Sequence, residues 1–222
     1  MEIKQYMARH IISQFGNPRG FLGYLVGQAM AVKNRARIQW AIELLDVQKS
    51  DRILEIGFGP GLAVREMAEA ATRGLIAGID RSELMVKQAS QLNRIAIQQG
   101  RVKLKHGSAD KPLDYLSDSF DKVLAINSHF FWENLTLSFQ EVRRVLKPEG
   151  LLFTVWQPRW AKTEQEVKDS ANKTSEQLSN AGFELIELKF KPLKPVTGIC
   201  ALALKSASQH TTNSQSEVLA NK

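Results

Sequence analysis

The residues best suited to chemistry gather in one short span. Glu55, Gly57, Gly59 and Gly61 lie within Arg52-Ile-Leu-Glu-Ile-Gly-Phe-Gly-Pro-Gly-Leu-Ala-Val64, and Asp80 follows. A strand that breaks into glycines just before a helix lets backbone N–H groups approach a ligand with no Cβ in the way. The glycines run G-x-G-x-G, whereas a dinucleotide fingerprint G-x-G-x-x-G needs its third glycine at position 62, which is leucine. A carboxylate at Glu55 would repel a pyrophosphate at this turn but suits a cationic amino-acid group. Asp80 follows the glycines at roughly the twenty-residue offset where an acid meets a ribose diol. Its two oxygens can accept from both hydroxyls. A plain strand-end cap is the competing role.

A second group of candidates sits in Asn127-Ser-His-Phe-Phe-Trp-Glu-Asn134 and in Trp156-Gln-Pro-Arg-Trp160. His129 is the best-placed general base, because a neutral imidazole takes up a proton near pH 7; a structural histidine is the alternative, and Glu133 is a weaker candidate base. Phe130, Phe131 and Trp132 would wall an apolar or aromatic acceptor pocket, or else cover the edge of a sheet. Trp156 and Trp160 would sandwich a ring or a cation, and Arg159 would hold a carboxylate or phosphate. Core packing and a solvated charge compete with these roles.

The elements that must position these residues follow from periodicity. Ile53, Leu54 and Ile56 form a buried parallel strand, and Leu62–Ala71 reads as the helix after it. Leu75–Asp80, Val102–His106, Phe120–Ile126 and Leu151–Trp156 are four further strands. Helices are expected over Leu22–Leu45, Glu83–Gln98 with Ser82 as N-cap, Leu135–Lys147, and Ala161–Ala181 closed by Gly182. Phe183–Phe190 alternates as a sixth strand, and the link Lys191-Pro-Leu-Lys-Pro195 is too short for a parallel crossover. Val196–Lys205 should therefore return antiparallel. Ligands of open α/β sheets bind outside the carboxyl ends of the strands, which is where Gly57, Asp80, Asn127 and Trp156 all fall.

The set of Glu55 with its glycines, Asp80, Ser117-Asp-Ser-Phe-Asp121 and Glu141-Val-Arg-Arg-Val-Leu-Lys-Pro-Glu-Gly-Leu-Leu resembles class I S-adenosylmethionine-dependent methyltransferases over residues 34–205. Within them it is most similar to the ubiquinone/menaquinone-biosynthesis-like branch acting on small molecules. The resemblance implies an α/β, Rossmann-like, seven-stranded and mostly parallel sheet with a C-terminal antiparallel hairpin and helices on both faces. It implies S-adenosylmethionine as methyl donor and S-adenosylhomocysteine as product. Gly57, Gly59 and Gly61 would meet its methionine part, Glu55 its ammonium and Asp80 its ribose. Gly107, Ser108 and Ala109 would border the adenine, with Asn127 also at the cofactor and Met85 near the adenine or in the core. Family members often carry an acid where Ser108 stands, so Asp110 or backbone groups would have to replace that contact.

The 222 residues suit one α/β domain, 43% hydrophobic, with no apolar run long enough to span a membrane. Cys200 is the only cysteine, so thiolate metal clusters and internal disulfides are excluded, no metal ligand set is evident, and a cytoplasmic location is expected. Net charge is +7, and the first fifty residues carry seven basic against three acidic side chains. Such a segment suits an anionic substrate, nucleic acid, a lipid surface or simple solvation. The organisation expected is a helical lid over 1–46, a catalytic domain over 47–205 and a polar tail over 206–222. The expected reaction moves a methyl group to an oxygen, nitrogen or carbon of a small aromatic or apolar acceptor. A nucleic-acid methyltransferase and a non-catalytic S-adenosylmethionine-binding protein are the alternatives. The loop after Ile126 lacks the Asn-Pro-Pro-Tyr pattern of nucleic-acid amino methyltransferases. Oligomeric state is not encoded in any feature of the chain.

Overall fold

The computed structural model describes residues 34–206. The part of the expected lid before Asn34, including the Gly16–Gly20 turn, and the tail from 207 onward lie outside the described residues. Helix α1 runs to residue 45 from the first described residue. It is followed by β1 (Arg52–Ile56), α2 (Leu62–Ala70), β2 (Leu75–Asp80), α3 (Glu83–Leu92), α4 (Arg94–Gln98), β3 (Val102–His106) and β4 (Phe120–Ile126). The rest of the fold is α5 (Leu135–Val145), β5 (Leu146–Trp156), α6 (Glu164–Asn180), β6 (Glu184–Lys191) and β7 (Gly198–Leu204).

These form one seven-stranded sheet in the order β3-β2-β1-β4-β5-β7-β6. Strands β1 to β5 pair in parallel, and β7 inserts between β5 and β6, antiparallel to both. The expected terminal hairpin is therefore present, with its second strand on the inside. Four of the five residues of β1 are buried, as a strand covered on both faces requires. On one face Phe139, Val142 and Val145 of α5 and Val167, Ala171 and Leu178 of α6 pack on Leu54 and Val123. On the other, Trp40 and Leu45 of α1 and Val64 and Met67 of α2 pack on Ile53 and Leu124. Each fully buried Val, Leu, Ile, Phe or Met among these contributes about 1.5–3 kcal/mol. The nearly buried Lys122–Asp51 ion pair, 2.8 Å, ties the turn before β1 to β4.

Two differences from the sequence reading exceed a shift of two or three residues at an element's end. The helix expected over Glu83–Gln98 is broken at Asn93, whose side-chain amide donates to Ala89 O (2.8 Å) and Gly61 O (3.1 Å) and so competes with the helical pattern. Strand β5 starts at Leu146 rather than Leu151. The residues between the expected helix and strand join β5, with a register shift between Phe120 and Lys122 of β4 accommodating them. The N-cap reading of Ser82 holds, its hydroxyl accepting from Met85 N. Helix α6 begins at a reciprocal capping box between Thr163 and Glu166.

Candidate active site

The sheet order reverses between β1 and β4, and the carboxyl ends of those strands open onto a cavity of about 370 Å³. Such a switch point is where open α/β sheets bind ligands. Glu55, Gly57, Gly59, Asp80, Gly107, Ser108, Ala109, Asn127, Phe130, Phe131, Trp132 and Arg159 all line it, together with Met85. The turn residues divide the work. A Cβ on Gly57 would lie 2.4 Å from Ser128 Cβ, so the close crossing of β1 and β4 requires glycine there. Gly59, at φ 53, has nothing within 4 Å of where its Cβ would be, so no side chain covers that side of its backbone, whose N–H donates to Asp80.

Gly61 behaves otherwise. A Cβ there would meet Ala89 Cβ at 2.6 Å and Asn93 Nδ2 at 2.8 Å, and the residue does not line the cavity. Its role is to let the start of α2 touch α3, which corrects the expectation that it approaches a ligand.

Two carboxyl groups face the cavity from β1 and β2. Asp80 Oδ2 accepts from Gly59 N (2.8 Å) and Oδ1 from Ser82 N (2.9 Å), which fixes both oxygens and leaves each a further lone pair. Burial raises its pKa while the two backbone donors oppose that rise. Glu55 is buried, and its Oε2 has no hydrogen-bond partner. Burial, and secondly the charge of Asp80, push its pKa up to about 8. A buried carboxyl with an idle oxygen is costly until a donor arrives, and a cationic N–H donor relieves both the idle oxygen and the desolvation.

The loop after β4 is stitched to its neighbours. Asn127 Oδ1 accepts from Gln157 N (3.0 Å), and Ser128 Oγ donates to Ile56 O (2.6 Å). Asp110 does not face the cavity as a replacement adenine contact. It accepts from Ser108 Oγ (2.6 Å) and Glu133 N (2.6 Å), and so joins the loop after β3 to the loop after β4. Gly107, Ser108 and Ala109 line that corner of the cavity.

Two candidates point away from the cavity. His129 is 1% exposed, lies among the rings of Phe130, Trp132, Phe139 and Trp156 at 4.0–6.5 Å, and neither ring nitrogen has a partner. Burial alone lowers its pKa to about 3, so it does not serve as a base there. Trp156 is fully buried and donates Nε1 to Ser170 Oγ (3.1 Å), which makes it core rather than pocket wall. The sequence reading missed Asn34, Ile38 and Phe58, which also line the cavity, and placed Gln157 at this edge without giving it a role. Only Ile38 carried a signal, its place on the apolar stripe of α1.

A glycine cradle beside an idle buried acid, with a second acid at the end of β2, fits an adenosyl amino acid: ammonium at Glu55, backbone at Gly57 and Gly59, diol at Asp80. The fold and this donor set define a class I methyltransferase. The chain matches the methyltransferase domain family over residues 54–154. It is similar to the uncharacterised methyltransferase YdaC of Bacillus subtilis (strain 168), 34% identical over 186 residues that cover 83% of this chain and 99% of that one. It is also similar to erythromycin 3''-O-methyltransferase of Saccharopolyspora erythraea, 31% identical over 110 residues, but those span 50% of this chain and only 36% of that protein. In fold it resembles a SAM-dependent methyltransferase from Aquifex aeolicus at TM-score 0.63 and 17% identity, covering 80% of this chain and 96% of that one. The chain belongs to the S-adenosylmethionine-dependent methyltransferase family, and S-adenosylmethionine is its methyl donor.

Proposed function

We propose that the chain methylates an oxygen, nitrogen or carbon atom of a small, aromatic or apolar molecule. The supporting observation is the cavity's outer wall. Phe130, Phe131 and Trp132 line it beside the β4 carboxyl end, and its volume falls in the range of small-molecule pockets, roughly 300–1,000 Å³. The donor, when bound, supplies a methyl group already activated by its positive sulfur. The protein residues then have positional work: Glu55 and Asp80 anchor the two ends of the donor, Gly59 gives it backbone contact, and the aromatic wall sets the acceptor in line. Orientation of this kind accounts for much of a rate enhancement without proton transfer.

With His129 sealed in the core, the reading is of a site without a histidine base, suited to acceptors whose nucleophile is already deprotonated. Helix α1 contributes Asn34 and Ile38 to the cavity, which supports a covering role for the segment over residues 1–46. Among the described residues no helix is long and apolar enough to cross a membrane. Transfer of labelled methyl from S-adenosylmethionine in a cell extract, followed by size fractionation, tests the proposal. Label in the low-mass fraction supports it, and label confined to RNA or DNA would overturn it in favour of a nucleic-acid acceptor.

A further inference from the structure

Every polar group of Gln157 but one is committed. Its backbone N–H donates to Asn127 Oδ1 (3.0 Å), and its carbonyl accepts from Arg159 N (2.9 Å). Its Nε2 donates to the carbonyls of Lys194 and Val196, in the link between β6 and β7. Those two carbonyls fix the orientation of the amide, because only its nitrogen end donates. Oε1 is left as an acceptor with no partner among the described residues. Gln157 lines the cavity and is only 5% exposed, so bulk water has little access to that oxygen. Its place in the sheet also sets it apart from the donor. Glu55, Asp80 and Gly107 come from the ends of β1, β2 and β3, whereas Gln157 follows β5, two strands or about 10 Å beyond β1. The ring of Phe130 lies 6.3 Å from that of Trp156, the residue before Gln157, so the aromatic wall stands beside the same strand end.

We infer that Gln157 is a specificity residue for the methyl acceptor: its Oε1 accepts a hydrogen bond from an O–H or N–H group on an otherwise apolar or aromatic molecule. The assignment rests on the small-molecule reading above and narrows it to acceptors that carry such a donor. An amide oxygen holds a proton on its partner and does not remove it, so the donating group is distinct from the nucleophile. Phe130 and Phe131 line the same cavity and would receive the apolar part. An acceptor oxygen held in place through the other end of its amide discriminates, because a ligand without a donor leaves it unpaired.

The test is a ligand-detected NMR titration of the full chain, saturated with S-adenosylhomocysteine, with phenol, aniline and anisole. It uses wild type and Gln157→Met, which keeps the length of the side chain and removes the acceptor. The expected result is about tenfold or greater preference for phenol or aniline over anisole, lost in Gln157→Met, with affinity for S-adenosylhomocysteine unchanged. A second readout needs no variant: in isotope-labelled wild type the Gln157 Cδ resonance should move downfield with phenol and stay in place with anisole. Should Gln157→Met fail to fold without the Lys194 and Val196 contacts, that resonance decides alone. Equal binding of anisole, a preference retained in Gln157→Met, a Cδ resonance indifferent to phenol, or no binding of any probe overturns the assignment. So does a loss that merely follows weakened S-adenosylhomocysteine binding, which would give the oxygen to the donor. Label in nucleic acid in the fractionation assay is a different failure, that of the small-molecule reading itself.

Discussion

Replacing Glu55 by Gln should make cofactor binding independent of pH where the wild type depends on it. With its pKa raised to about 8 by burial and by Asp80, the Glu55 carboxyl is protonated in the free protein at pH 7. Only about a tenth is ionised there, and stripping the proton costs about 1.4 kcal/mol. A charge-assisted contact to the donor's ammonium returns about 1.5–3 kcal/mol. The difference predicts that Glu55→Gln weakens S-adenosylhomocysteine binding only one- to roughly tenfold at pH 7, but about ten- to a hundredfold near pH 8.5, where deprotonation is nearly free. Wild type should release close to one proton on binding at pH 7, read by calorimetry in buffers of different ionisation enthalpy. The variant should release none. The sign in the unliganded protein follows the same shift. A carboxyl whose folded pKa is raised favours the fold below its unfolded pKa, and that contribution is lost as pH rises toward 8. Equal proton release by wild type and variant, or a wild-type affinity flat from pH 6 to 8, would refute the assignment of Glu55 to the ammonium.

Three other substitutions separate structural from chemical roles. His129→Phe should retain methyl transfer, because the imidazole does not line the cavity. It should also remain folded at lower pH than wild type. His129 with a folded pKa of about 3 stays neutral while the unfolded form charges below about 6.5, so stability falls as pH drops through that interval, and phenylalanine removes the loss; a large loss of turnover would restore His129 as a base. Trp156→Ala should lower stability by about 3–5 kcal/mol through cavity formation, seen as a reduced melting temperature, while acceptor KM in the folded fraction stays put. Gly61→Ala should destabilise by about 2–4 kcal/mol, from contact with Ala89 and a left-handed alanine. The folded fraction should still bind S-adenosylhomocysteine with wild-type affinity.

The strands were legible because each carries its own signal: the apolar runs of β1, β2 and β4, the alternation of β3 and β6, and the short link that forces β7 to turn back. The placement of Glu55, Gly57, Gly59 and Asp80 around one cavity was legible too, since strand ends alone bring them together. What a linear reading lacks is the direction of neighbours in a tight turn. His129 and Phe130 are adjacent, yet one faces the core and the other the cavity. Trp156 ends its strand on the face packed by Ser170 of α6, and sequence spacing does not report which face that is. Gly61 looks like its two companions until α3 is seen against it. The contacts of Gln157 with Asn127, Lys194 and Val196 join residues far apart in the chain, and no motif spans that distance.

The hydrogen bonds around the cavity show why the site can act mainly by position. Asp80 ties β2 to the Gly59 turn, Ser128 ties the β4 loop to Ile56, Asn127 ties it to Gln157 after β5, and Asp110 ties it to the β3 loop. Each polar side chain binds the backbone of another strand end or loop, so the five strand ends are cross-linked around the space between them. Preorganisation of this kind is what an in-line transfer needs, because misplacement by an ångström is expensive. Among the described residues lining the cavity, one fully buried polar side-chain atom is left idle, Glu55 Oε2 at the end of β1. A rigid cavity with one unmet acid fits a ligand that brings a cationic donor group to that end, as the ammonium of S-adenosylmethionine does.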